Sequence, residues 1–320
     1  MGFLGIDLGG TLLKGGIVNR EGRVLARGEV PTQRTAGVEG VLRQMQELAE
    51  NLALQARVEP ADIEGAGVGV PGSVEVDLGL VRLAPNLHWR NVPLRDQLEK
   101  LWNLPVVVDN DAHVAALGEL WQGAGRGYRD LLLVTIGTGI GSALILKGEV
   151  HRGFLGYGAE LGHVKMVEEG PPCRCGGRGC LETLASATAM VRRAREELEH
   201  GRASLLRAWP EIGPREIIAA ASEGDELSRE ILAEAGRYLG RALANAVLLV
   251  GPEAIVVGGG VAQGGETVLG PIRRALEEAL YPWQVKPVPV LSAQLGNSAG
   301  FIGAAYLAIR NLSPGSLKED

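Results

Sequence analysis

The chain has 320 residues, 46% of them hydrophobic and 22% charged, with a formal net charge of −6 and a pI near 5.6. That is the balance of a globular protein long enough for two lobes, too acidic for a phosphate backbone and, at 4% aromatics, too poor in rings for base stacking. No basic leader opens the chain and the longest apolar stretches, Ala242 to Val250 and Ala254 to Val257, are too short to span a bilayer, so a cytoplasmic protein with no nucleic-acid or membrane partner is expected.

Phe3 to Ile6 has the look of a buried strand running into Asp7-Leu8-Gly9-Gly10-Thr11, after which apolar residues resume at Ile17 and Val18. The glycine-rich turn therefore joins two strands, whereas a Walker or Rossmann loop opens a helix. An ordinary tight hairpin satisfies this pattern. So does a nest in which the N–H groups of Gly9, Gly10 and Thr11 cradle phosphate, with Asp7 placed for a water-mediated magnesium ion. Helical spacing predicts helices over Val38 to Ala53 and Leu94 to Leu104. Between them, a strand from Ala66 to Val70 ends in the Pro71-Gly72 turn, and Pro85-Asn86 follows another short strand. Pro105 to Val108 forms an apolar, mostly β-branched strand that stops at Asp109-Asn110-Asp111, and a helix resumes over Ala112 to Trp121. Asp109 or Asp111 would serve as a cap, yet three polar residues between a buried strand and a helix exceed what capping needs.

Leu131 to Ile136 repeats the opening theme, running into Gly137-Thr138-Gly139-Ile140-Gly141 and leaving as a strand over Ser142 to Leu146. Two such hairpins suggest a duplicated lobe, each copy offering a phosphate-binding turn, with one nucleoside triphosphate gripped by both. One imidazole and all three cysteines then gather in His163, Cys173, Cys175 and Cys180. Three sulfurs and a nitrogen make a closed structural zinc set, although the single residue between Cys173 and Cys175 departs from the usual spacing. Fixing that metal would fix the flanking Glu160 and Glu182, and two carboxylates beside an imidazole N–H suit the hydroxyls of a sugar or polyol. Helices follow over Ala187 to Glu197, Pro214 to Ala221 and Leu227 to Val250. A strand over Ala254 to Val257 ends in Gly258-Gly259-Gly260, bare backbone suited to lie against an adenosine. A helix over Val268 to Leu280, a strand near Val288 to Leu291 and a final helix from Ser298 to Arg310 complete the chain. The last helix is rich in small residues and is expected to return to the first lobe.

Taken together, Asp7-x-Gly9-Gly10-Thr11, Asp109-Asn110-Asp111, Gly137-Thr138-Gly139, Glu160-x-Gly162-His163 and Cys173-x-Cys175-Gly176-x-x-Gly179-Cys180-x-Glu182 resemble the motifs of the ROK family of repressors and sugar kinases. The match runs along nearly the whole chain in the same order, and the cysteine motif is its specific part. The resemblance implies an α/β protein with the two-lobed actin-like ATPase (ribonuclease H-like, hexokinase-type) fold. One lobe would comprise residues 1–110 plus 298–320, the other 111–297, with ATP and Mg2+ in the cleft and a structural Zn2+ beside the sugar. It implies that Asp111 is the base, that Asn110, Glu160, His163 and Glu182 hold the other hydroxyls, and that Gly72 and Asn86 line the opposite wall. Nucleotide contacts would fall to Asp7, Gly9, Gly10, Thr11, Lys14, Gly137, Thr138, Gly139, Gly258, Gly259 and Gly260. Asp109 is a mild departure from the glutamate or small variant usual in the family and receives no catalytic role.

The activity implied is ATP-dependent phosphorylation of a hexose at its 6-hydroxyl, glucose first. Kinases for mannose, fructose, N-acetylglucosamine and N-acetylmannosamine share every motif quoted. Repressor members carry an N-terminal helix-turn-helix, and the direct start at the phosphate turn argues against that reading. The family's habit of forming dimers and tetramers makes a homo-oligomer the expectation.

Overall fold

The computed structural model describes residues 1–154, 156, 158–281 and 286–312. They divide into two compact units. The first comprises Met1–Gly127, Glu149–Gly158 and the described residues from Gln294 onward; the second comprises Tyr128–Gly148 and the described residues from Ala159 to Ala293. Thus the first unit runs past the expected boundary at Asn110, because the helix after it stays with the sheet it grows from.

That unit opens with the expected hairpin, β1 (Gly2–Leu8) and β2 (Leu12–Val18), continued by β3 (Val24–Pro31). Helix α1 (Gly37–Ala56) turns Val41, Met45, Leu48 and Leu52 inward, the spacing seen in the sequence. β4 (Ile63–Val70) then pairs parallel to β1. A small meander follows, of which the sequence reading has only the strand before Pro85: β5 (Ser73–Glu75), β6 (Leu80–Ala84) and β7 (Trp89–Pro93). After α2 (Leu94–Trp102), β8 (Val106–Asn110) closes the sheet in the order β3-β2-β1-β4-β8. The strand does not stop at Val108 as expected. Asp109 and Asn110 continue the ladder opposite Gly69 and Val70, because β4 is long enough to offer them partners.

Helix α3 (Asp111–Gln122) starts at once, capped by neither aspartate. Asn110 is the cap: its side-chain oxygen accepts the N–H groups of Ala112 at 2.8 Å and His113 at 3.3 Å, an arrangement worth about 1 kcal/mol. At the other end of α3 the buried Glu119 accepts N–H groups from Ala124, Gln294 and Leu295 at 2.8, 3.1 and 2.8 Å.

The second unit repeats the plan. β9 (Leu131–Ile136) and β10 (Ile140–Leu146) form an antiparallel hairpin; β11 (Glu149–Val150) begins the excursion assigned to the first unit. Next come α4 (Glu182–Ala185), α5 (Ala187–Glu199), α6 (Pro214–Ser222), α7 (Glu226–Val250), β12 (Ala254–Gly258), α8 (Glu266–Leu280) and β13 (Val290–Ser292). The last strand lies slightly beyond its expected place, because its partners on β12 are Ile255 to Val257. The order β10-β9-β12-β13 mirrors β2-β1-β4-β8, an antiparallel pair followed by two parallel strands in each. Both halves therefore gather their turns at the carboxyl ends of parallel strands, where open α/β sheets bind ligands.

Helix α9 (Ala299–Leu312) returns to the first unit, as expected, and its small residues explain how closely it lies. A Cβ on Gly5 would stand 1.9 Å from the Phe301 carbonyl oxygen, one on Gly67 1.8 Å from that of Ala304, and one on Gly303 1.6 Å from that of Val114. Backbone thus meets backbone on β1, β4 and α3. Phe301 and Ile302 are buried by this approach, each worth about 1.5–3 kcal/mol.

Candidate active site

In the first unit the glycine turn is tight: the Gly9 N–H donates to the Leu12 carbonyl at 3.0 Å, and Thr32 donates its hydroxyl to the Gly9 carbonyl at 2.8 Å. Asn86 stands beside it, its Cβ 3.2 Å from where a Cβ on Gly10 would be. Asp7 precedes the turn and pairs across the hairpin with Lys14, Nζ to Oδ2 3.7 Å. Gly72 accepts the Asn110 amide N–H at 3.0 Å, so the two are joined. Asn110 was expected to bind sugar, but its oxygen is engaged in capping and one N–H in this contact, which leaves one N–H for a ligand. Asp111 begins α3, where the helix dipole favours an anion, and its Oδ1 accepts the Ala112 N–H at 2.9 Å.

Burial pushes the Asp7 carboxyl up to about 6, opposed by Lys14 and reinforced by the charge of Asp111. Burial raises Asp111 as well, against the Ala112 N–H and the charge of His113. Two carboxylates that feel one another beside a phosphate-shaped turn fit a magnesium ion, with Asp7 the residue that would hold it.

The Asp7 shift has a measurable sign. Between about 4 and about 6 the folded protein holds this proton more tightly than the unfolded chain does, so stability falls as pH rises through that window. The loss, about 3 kcal/mol at most, is complete above it. In magnesium-free buffer Asp7→Asn is therefore expected to be more stable than the parent at pH 7.5 and equal to it near pH 4, by urea unfolding. A variant no more stable at pH 7.5 would show that the carboxylate is well solvated.

In the second unit the metal-ligand set assembles as its residue types suggest. A ring nitrogen of His163 and the sulfurs of Cys173, Cys175 and Cys180 all lie within 4.8 Å of one another. Cys173 Sγ is 3.6 Å from His163 Nδ1, and Cys175 Sγ is 3.6 Å from Cys180 Sγ. Zinc with sulfur ligands at about 2.3 Å sets tetrahedral neighbours about 3.7 Å apart, so the donor set fits that ion. Gly179 makes the fold-back possible: its φ is +67°, and a Cβ there would lie 1.9 Å from the Val167 carbonyl oxygen. Lys165 closes the loop, donating to the Arg178 carbonyl at 2.8 Å and lying 3.4 Å from Cys180 Sγ. Glu182 stands beside the cluster, Oε1 3.2 Å from Cys173 Sγ and 4.0 Å from His163 Nδ1. Nδ1 is the His163 nitrogen near Cys173, so with Nδ1 on a metal Nε2 would carry the second ring N–H. Glu160 opens the turn Leu161–His163, whose His163 N–H donates back to the Glu160 carbonyl at 3.0 Å.

The second glycine turn is tied to the start of α5. Ala187 donates its N–H to the Gly137 carbonyl at 2.9 Å, and Thr188 its hydroxyl to that of Thr138 at 2.8 Å. Beside it lies a cavity of about 670 Å³ lined by Gly137, Thr138, Thr188, Arg195, Ile212 and Gly260, among others. Three expected nucleotide residues are not on this wall. Gly139 faces Glu182, Gly258 is buried within β12, and Gly259, at φ +86°, lies against the Ile136 backbone. Conversely, the α5 face carrying Thr188, Val191, Arg192 and Arg195 escaped the sequence, where charged positions on an amphipathic helix look like a solvated surface.

Residues 3–311 match the ROK family. The chain is similar to the glucokinase of Halalkalibacterium halodurans, 37% identical over 310 residues that span 95% of this chain and 94% of that one. It is also similar to the xylose repressor of Caldicellulosiruptor bescii, at 32% identity over 97% of this chain and 78% of that one. Among solved structures it resembles a ROK family glucokinase from Streptomyces griseus in complex with glucose and AMPPNP. The TM-score is 0.84 and the identity 37%, with 96% and 99% of the two chains covered.

Proposed function

The chain belongs to the ROK family and has the two-lobed actin-like ATPase fold, and on that premise we propose that it transfers the γ-phosphoryl group of ATP to the 6-hydroxyl of glucose. The reading is carried by the likeness to a glucokinase holding glucose and an ATP analogue. Identity to the glucokinase of H. halodurans, 37%, exceeds the 32% to the xylose repressor, which favours the kinase.

Phosphoryl transfer asks the protein for positioning and charge screening more than for covalent chemistry. Asp111 accepts the proton of the 6-hydroxyl as its oxygen bonds to the γ-phosphorus and the bond to the ADP oxygen breaks. Asn86, Gly72 and the remaining Asn110 N–H orient the sugar in the first unit; Glu160, His163 Nε2 and Glu182 take hydroxyls in the second. Backbone N–H groups of Gly10 and Thr11 in the first turn and of Thr138 in the second receive the phosphates, those of Gly9 and Gly137 being spent on the Leu12 and Gly139 carbonyls; Lys14 aids them, and Gly260 borders the adenosine. Magnesium, when bound near Asp7, offsets phosphate charge. Zinc would be held by His163, Cys173, Cys175 and Cys180 and supplies a rigid crosslink, with no open position for chemistry.

Steady-state rates with ATP and each of glucose, mannose, fructose, N-acetylglucosamine and N-acetylmannosamine test the assignment. The highest kcat/KM is expected for glucose; a higher value for another of the five would reassign the sugar within the same class.

A further inference from the structure

Asp109 is fully buried, ionic and unused by the reaction just outlined. Its Oδ1 lies 2.7 Å from His113 Nδ1, one turn into α3, and also accepts the Asn110 N–H at 2.7 Å. Its Oδ2 accepts from the Arg152 guanidinium, from Nε at 3.1 Å and also from Nη2. Those partners, His113 first, hold its carboxyl below the usual range in spite of burial. One carboxylate thus joins β8, the first turn of α3 and the separate segment Glu149–Gly158.

We propose that Asp109, bridged to Arg152 and His113, is a positioning residue that fixes the direction of Asp111. The assignment rests on Asp111 being the base. Stability alone is a poor reason for such a cluster, since apolar side chains of similar volume often replace a buried ion pair at no cost. Its placement supplies a better one. Asp7, Gly69 and Asp109 occupy one register row across β1, β4 and β8. In that row the Asp111 Cα is 3.5 Å from where a Cβ on Gly69 would be, and Val114 presses closer still at 2.3 Å. The first turn of α3 therefore rests on a bare glycine, with no side chain from that strand to set its rotation. Besides the Asn110 cap and the seat of Val114 on Gly303 of α9, the bond from His113 to Asp109 fixes that turn, and Arg152 holds Asp109 in place.

A wrong rotation would move the Asp111 carboxylate off the hydroxyl while leaving the nucleotide residues of the second unit alone. Misplacement by an ångström near reacting atoms costs large factors in rate.

The test uses Arg152, whose side chain is 30% exposed and can relax into water when changed. Arg152→Met is expected to lower kcat at least tenfold with the KM for ATP within threefold, and Arg152→Lys to recover part of the loss. Asp109→Asn/Arg152→Met should be no worse than Asp109→Asn by more than twofold, because the two act as one device. The decisive comparison is in the Asp111→Asn background, where adding Arg152→Met should change the residual rate by less than twofold. A further tenfold loss there, or Arg152→Met within twofold of the parent, overturns the proposal. Asp111→Asn by itself retaining a tenth of the rate would instead overturn the assignment of the base, so the two failures are told apart.

Discussion

Asp111→Asn is expected to lower kcat by about a thousandfold, within the range a positioned general base supplies, while glucose binding changes less than about threefold. The amide is nearly the shape of the carboxylate and can still accept the Ala112 N–H, so the start of α3 should stay folded. What disappears is the acceptor for the hydroxyl proton. Because that proton moves only as the phosphorus–oxygen bond forms, the loss belongs in kcat and not in affinity. Burial raises Asp111, and the N–H of Ala112 and the charge of His113 oppose that shift. A variant retaining a tenth of the parental rate would place the base elsewhere.

Removing the metal is the second large effect. Metal analysis is expected to find about one zinc per chain, and chelation or Cys173→Ala to lower activity at least a hundredfold together with a fall in thermal midpoint. The cause is local. Among the described residues the three thiols form no disulfide, and what otherwise holds the segment is loop hydrogen bonding, such as Met166 N–H to the Gly179 carbonyl and Gly179 N–H to the Pro171 carbonyl, with two isolated bridges, Lys165 with Cys180 and Pro172 with Arg178. Burial pushes the Cys173 thiol up to about 12, so in the absence of an ion it stays protonated and donates toward Glu182, 3.2 Å away. Without the crosslink, Glu182 and His163 lose the partner that fixes both. Full activity in a verified zinc-free preparation would contradict this account.

The sequence carried most of this because its signals were local. A strand, a glycine turn and a second strand within about 17 residues have few solutions other than a hairpin, and both copies formed one. Three cysteines and a histidine within one loop came together for the same reason. The last helix was legible as a close-packed one because Gly300, Gly303, Ala304 and Ala305 leave little else for it to be.

What escaped depends on partners distant in the chain. Asp109 looked like a loop residue or a cap, and only the length of β4 and the arrival of Arg152, 43 residues later, make it a buried strand residue. Asn110 looked like a sugar ligand, and its side chain is largely committed to α3 and Gly72. The cavity face of α5 carries the same charges a solvated helix would, so no period distinguishes it. Gly258 and Gly259 were expected against an adenosine as bare backbone after a buried strand, but the cavity wall takes Gly260 instead, with Gly258 buried in β12 and Gly259 turned over Ile136.

The most direct test of the central claim is carbon-13 NMR of the product formed by purified protein from glucose and ATP. The account predicts phosphate on C6, with one ADP released per sugar consumed. Phosphate on C1, or ADP released without any sugar phosphate, would contradict it.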